Sequence, residues 1–253
     1  MARYNAATWR EVLKKVRFSS TMGTLKRMVE NQEQKVTVQL VDSLAEHEVL
    51  ESLLEESKPA LLEPALQQFD YLLRTPWRYP PLKWGSRFGR RFEPSLFYGA
   101  LSDRALFAEA AYYRLVFLAG MQEPFTDRVI SQFTVFEANY RTERSIDLSR
   151  EPFVEHEPVL RHKRHYGPCQ VLGTELRARG TEAISYLSAR AHGRAMNIAL
   201  ISPAALRSKK HRNPRNGICE TRQEGVSFRL GEELYELARS EFLYRGELPV
   251  PAN

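Results

Sequence analysis

Glu109 is a carboxylate without an obvious structural duty. It lies in Ser102-Asp-Arg-Ala-Leu-Phe-Ala-Glu109, two turns beyond a serine suited to cap a helix. That is past the first turn, where an acid would serve the helix dipole. Ala105 and Ala108 leave space around it. Upstream stand Arg74, Arg87 in Gly85-Ser-Arg-Phe-Gly89, and Tyr98 in Leu96-Phe-Tyr-Gly-Ala100. Far downstream, Ser185-Tyr-Leu-Ser188-Ala-Arg190 closes an expected strand. Arginine offers a planar fork of donors suited to phosphate or carboxylate. Singly, each residue also has a structural reading: a solvated helix acid, turn cations, a core aromatic, a strand terminus.

Other chemistries find less support. His156, His162, His165 and Cys169 lie close together, but their spacing fits no standard zinc finger and the residues between include Arg and Lys, which repel a cation. No Gly-rich phosphate loop or dinucleotide fingerprint is present. Cys169 and Cys219 are the only cysteines, too few for a disulfide framework, and are read as thiols in a reducing cytoplasm. The apolar run Ala110–Met121 is short and carries Arg114, so no membrane span is expected, and the N-terminus lacks the apolar core of a secretory signal. A net charge of +6 over 253 residues favours anionic partners. The competing class is therefore a non-catalytic nucleic-acid binder using Arg161–His165 and Arg207–Arg215. It predicts steeply salt-dependent binding.

The elements that must position these residues are partly legible. Residues 1–65 read as mainly helical: one helix near Thr8–Arg17, and another after the capping box Ser43-Leu-Ala-Glu46, ending at Lys58 before Pro59. Lys35–Leu40 fits either a strand or a helix. Phe69–Arg74 reads as a strand, followed by a Pro-rich basic turn segment through Arg91. Ser95–Ala100 reads as a buried strand and Asp103–Leu118 as a helix. Glu137–Pro168 reads as polar and irregular, with a short strand near Arg144. A helix is expected over Cys169–Arg179, stopped by Gly180. Strands are expected over Thr181–Ser188 and Met196–Ile201, Lys209–Gly217 is a basic surface loop, and Val226–Leu230 is the last strand.

In order, these pieces resemble the RES domain, a family of bacterial toxin enzymes named for Arg, Glu and Ser. The resemblance rests on Ser86-Arg87-Phe88-Gly89, Tyr98, Ser102 and Ala105-Leu-Phe-Ala-Glu109, then Gly180, Tyr186-Leu-Ser188-Ala-Arg190 and Asn197–Ile201. It spans about Phe69 to Leu206. Gly89 stands where the family commonly has Asn, and Ser86 where it commonly has Gly. Residues between Glu109 and Cys169 carry no match, and the first 65 are extra to a minimal member.

The resemblance implies an α+β fold with an ADP-ribosyltransferase-like split, twisted β core and flanking helices. An N-terminal helical extension (1–65) would precede the RES domain (66–253). It implies cleavage of the nicotinamide–ribose bond of NAD by phosphorolysis or hydrolysis, depleting NAD, with transfer of ADP-ribose to a protein as the alternative. The site residues carried over are Glu109, Arg87, Ser188 and Tyr98 as catalytic, with Arg74, Arg87, Tyr98 and Ser188 binding NAD. Glu109 would stabilise the developing oxocarbenium charge. Arg87, with Arg74, would grip the pyrophosphate. Tyr98 would orient the nicotinamide, and Ser188 would bond the ribose or position Glu109. NAD is the substrate, and no metal is required. The implied partner is an Xre-type antitoxin covering the cleft, with nucleic acid reached only through it. Self-association is left open, and a cytoplasmic location follows.

Overall fold

The computed structural model describes residues 4–30, 41–61, 64–121 and 127–250. The strand-or-helix question at Lys35–Leu40 falls outside them.

Helix α1 (Ala6–Lys14) is capped by Asn5, whose side chain accepts from Thr8 N–H, and buries Trp9 and Leu13. Strand β1 (Ser19–Glu30) follows, then α2 (Leu44–Ser57), in which Ser43 accepts from Glu46 N–H as the capping box predicts. Next come α3 (Tyr71–Arg78), β2 (Phe97–Ala100) and α4 (Asp103–Ala119). Then follow β3 (Val129–Asp147), α5 (Glu157–Leu160), α6 (Gly167–Ala178), β4 (Ala183–Leu187) and β5 (Met196–Leu200). The chain ends in β6 (Arg212–Thr221), β7 (Gly225–Leu230) and β8 (Glu233–Ala238).

The strands form one sheet in the order β1-β2-β5-β4-β3-β6-β7-β8, and β1 also pairs with β3. Strands β1, β2, β5, β4 and β3 thus close on themselves, while β6–β8 extend from β3. Only β3–β4 is parallel. One apolar cluster packs α4 against β3, β6 and β7, and a second packs α1 and α6 against β4. A third joins Leu66, Phe69, Leu73 and Trp77 to β1, β2, β3 and β5. The fold is mixed α+β, with a large twisted sheet, flanking helices and an N-terminal helix.

Five local expectations need correction. Within the supposedly helical first 65 residues, Ser19–Glu30 is a strand of the main sheet, paired along β3 and touching β2 at Lys26–Ala100. Phe69–Arg74 is not a strand. Phe69, Leu73 and Trp77 recur every four residues and are buried together, and Asp70 caps the helix by accepting from Leu73 N–H at 3.0 Å. The helix runs on to Arg78 with Pro76 inside it. The first part of the polar stretch Glu137–Pro168, as far as Asp147, belongs to a 19-residue strand, and turns and α5 follow it. In that strand Phe136, Ala138, Tyr140 and Thr142 point inward, and the alternating polar residues made the stretch look irregular. Lys209–Gly217 is basic and exposed, yet from Arg212 its backbone is paired with β3, so ladder hydrogen bonds rather than apolar side chains hold it. Finally, β7 is not the last strand. Gly231, at φ +64°, turns the chain into Glu-rich β8.

Ser102 caps α4 by accepting from Ala105 N–H at 3.3 Å. Ser102→Ala should cost about 1 kcal/mol and lower the melting temperature by about 2–4 °C, read by thermal denaturation.

Candidate active site

A cavity of about 580 Å³ opens between β1, β2, α4 and the segment leading to Arg87, within the size range of small-molecule sites. Arg27, Arg87, Tyr98, Glu109, Tyr166 and Asn197 are among its walls. The helix α4 delivers Glu109 to it, and the carboxylate is fixed from behind. Ser188 Oγ donates to Glu109 Oε1 at 2.7 Å, and Asn197 Nδ2 donates to the same oxygen at 3.0 Å. Ser188 is fully buried, and its hydroxyl accepts from the Arg190 and Ala191 N–H groups, both at 3.1 Å. Its single proton is therefore committed to Glu109. Of the two roles considered for Ser188, this geometry serves the positioning of Glu109 rather than a bond to ribose.

Arg87 leaves a turn set by Gly85, at φ +72°, where Ser86 N–H donates to Gly89 C=O at 2.8 Å. Gln170 on α6 holds that turn by donating to the Trp84 and Ser86 carbonyls at 2.9 and 3.0 Å. The Arg87 Nη1 donates to the carbonyls of Leu160 and His162, and the guanidinium lies 4.6 Å from the centre of the Tyr166 ring. Burial works against its charge, but the electronegative surroundings of Tyr166, Cys169 and Glu109 outweigh this, and its pKa lies above the ordinary value. Tyr98 donates to Ser86 Oγ at 2.9 Å and accepts from Phe88 N–H at 3.0 Å, so it pins the Arg87 turn from β2. Burial pushes its hydroxyl up to about 12, and it remains a neutral phenol.

The structure thus brings Arg87, Tyr98, Glu109 and Ser188 together. Arg74 lies on α3 and does not line the cavity. The second cleft arginine is Arg27, on β1. Its Nη1 donates to Tyr98 C=O at 2.5 Å, its guanidinium sits 4.6 Å from the Phe97 ring centre, and its buried Nε has no partner among the described residues. Burial lowers its pKa to about 10, and no neighbouring carboxylate offsets the loss. An uncompensated, desolvated cation facing a cavity suits an anion. Arg27 escaped the sequence reading because its strand was taken as helix. Asn197 escaped because an amide inside an apolar strand gives no signal without the fold.

A second cavity, about 600 Å³, lies across the turn that follows Ser188. Several of its polar side chains are tied up by protein groups: Arg161 pairs with Glu157 at 2.8 Å, His192 lies 3.2 Å from Glu241, and Lys163 donates to the Glu241 and Leu243 carbonyls. Among the described residues, no group of three His, Cys, Asp or Glu could hold a metal ion, and no helix is long and apolar enough to cross a membrane.

The chain thus joins a mixed α+β fold to a cleft lined by Glu109, Arg27 and Arg87, with Ser188 clamping the carboxylate from behind. The chain is a member of the RES-domain family, whose model matches residues 62–222. Strand β1, with Arg27, lies outside that match. Among solved structures, the chain is similar to one described as the M. tuberculosis MbcT–MbcA toxin–antitoxin complex. The identity is 11% and the TM-score 0.47, over 82% of this chain and 91% of that one. No curated protein matches the chain.

Proposed function

We propose that the cleft binds NAD and breaks its nicotinamide–ribose bond, with phosphate or water as the acceptor, and that the protein acts as the toxin of a toxin–antitoxin pair in the cytoplasm. The observation that carries this reading is Glu109. Its carboxylate is held through one oxygen by Ser188 and Asn197, while the other is left for a ligand. As nicotinamide leaves, positive charge builds on the ribose, and a fixed carboxylate stabilises it without reorganising. Nicotinamide departs neutral, so no metal is needed to accept charge. The arginines Arg27 and Arg87 suit the diphosphate, or one of them suits inorganic phosphate as nucleophile. Family membership supports the same substrate. An antitoxin of the Xre type would silence the enzyme by covering this cleft.

Purified protein incubated with NAD, with and without phosphate, should release nicotinamide. ADP-ribose as the second product identifies hydrolysis, and its 1″-phosphate identifies phosphorolysis. Label appearing on an added protein acceptor instead would identify a transferase. NAD left intact in all three mixtures would sink the enzymatic reading and favour the exposed basic strand at Arg212–Arg215 as the working surface.

Arg27→Gln keeps a hydrogen-bond donor but removes the charge. We expect KM for NAD to rise about tenfold with kcat changed much less, because the lost contact is to a non-reacting group. Arg74→Gln, at a residue that is not one of the cavity walls although Thr75 and Pro76 are, should leave both within about twofold. Steady-state kinetics on the two variants reads the difference. Equal effects would remove Arg27 from the binding site.

A further inference from the structure

We infer that Asn197 is a positioning residue for Glu109, a role that rests on the NAD-cleaving reading above for its consequence but not for its geometry. Asn197 sits on β5 between two hydrogen-bonded neighbours, opposite Ala100 on β2 and Tyr186 on β4. Its backbone has nowhere to go. The residue is 3% exposed, and Nδ2 donates to Glu109 Oε1 at 3.0 Å. Rotating the amide by half a turn would set its carbonyl oxygen against the carboxylate, acceptor against acceptor, so the carboxylate itself fixes the amide orientation.

The arrangement is costly. With Nδ2 turned to Glu109, the buried Oδ1 has no hydrogen-bond partner among the described residues. An aliphatic residue would suit this strand interior better, and unsatisfied buried acceptors are rarely kept without use. The use is visible at Glu109. Ser188, on the loop after β4, and Asn197, on β5, approach the same oxygen from different elements. Two donors converging on Oε1 set the plane of the carboxylate. They leave Oε2, which has no protein partner among the described residues, as the oxygen presented to the cavity. A single donor would fix a distance and leave rotation about the bond to it. The second donor removes that freedom, and placement at this scale governs rate.

Asn197→Leu tests the role. Leucine is close in volume, suits a strand interior, and removes both the donor and the stranded carbonyl. We expect melting no lower than wild type, a kcat reduced about 10- to 100-fold, and a KM for NAD within about threefold of wild type. A second readout needs no turnover: the carbon-13 signal of the Glu109 carboxyl, identified by its loss in Glu109→Gln, should shift in Asn197→Leu. Asn197→Ser serves for both readouts if the leucine variant does not fold. Unchanged kcat, or a loss that merely tracks the folded fraction with the carboxyl signal unmoved, overturns the inference. If wild type leaves NAD intact, the proposed function falls by itself. The carboxyl signal then decides: a shift upholds the positioning of Glu109, and an unmoved signal ends it.

Discussion

Glu109→Gln should abolish NAD consumption while leaving the fold intact. The substitution keeps the side chain's shape, and its amide oxygen can still accept from Ser188 and Asn197, so the internal bonds that hold α4 to β5 and to the loop after β4 survive. What disappears is the negative charge. If the barrier is lowered by a fixed carboxylate facing an oxocarbenium-like ribose, removing that charge should cost about 10³-fold in kcat, equivalent to about 4 kcal/mol of transition-state stabilisation. KM should move little, because Arg27 and Arg87 remain to bind phosphate. Nicotinamide release followed by chromatography measures the effect, with circular dichroism to establish folding. A glutamine variant retaining more than about a tenth of wild-type turnover would show that Glu109 shapes the cleft without stabilising charge there.

The contrast with Arg27 shows where the sequence was legible. Glu109, Tyr98, Arg87 and Ser188 sit in short local patterns: a cap two turns before an acid, a Gly-flanked arginine, a strand closed by serine. Local signals of that kind survive in one dimension. Helix α4 and the strands β2, β4 and β5 were legible for the same reason, since caps, breakers and apolar runs mark them. Strand β3 was missed although Phe136, Ala138 and Tyr140 alternate with polar residues in the sequence itself, because its exposed side is as polar as a loop and masks the buried row. Strand β6 was invisible because long-range pairing, not composition, makes it a strand. Arg74 drew attention because it stands shortly before Arg87, although the segment between them is shorter and richer in proline than the family pattern, whereas Arg27 lay in a stretch read as helix. The fold gives Arg74 to a helix and fills the cleft from β1 instead.

The arginine turn depends on a contact that a single methyl group should destroy. Gly173 lies inside α6, where alanine normally stabilises a helix by about 1 kcal/mol over glycine. Here an added Cβ would lie 2.0 Å from the carbonyl oxygen of Phe88 and 2.7 Å from its carbonyl carbon. Both are backbone atoms and cannot rotate aside. The helix must therefore retreat from the turn or distort it, and overpacking against a fixed neighbour costs about 1–3 kcal/mol. We expect Gly173→Ala to reach the upper end of that range and to lower the melting temperature by about 4–12 °C. Gly167→Ala is the control: it lies at the start of the same helix with nothing within 4 Å of its Cβ, so it should melt within about 2 °C of wild type. Phe88 adjoins Arg87, and Gln170, one turn before Gly173, holds the Ser86 carbonyl. Displacing α6 therefore also moves the guanidinium away from the cleft. The folded fraction of Gly173→Ala should accordingly bind NAD more weakly, a second effect that thermal instability alone does not produce. A variant that melts with wild type would mean that the α6–Phe88 approach is looser than 2.0 Å implies, and that the turn owes its position to Tyr98 and Gln170 instead.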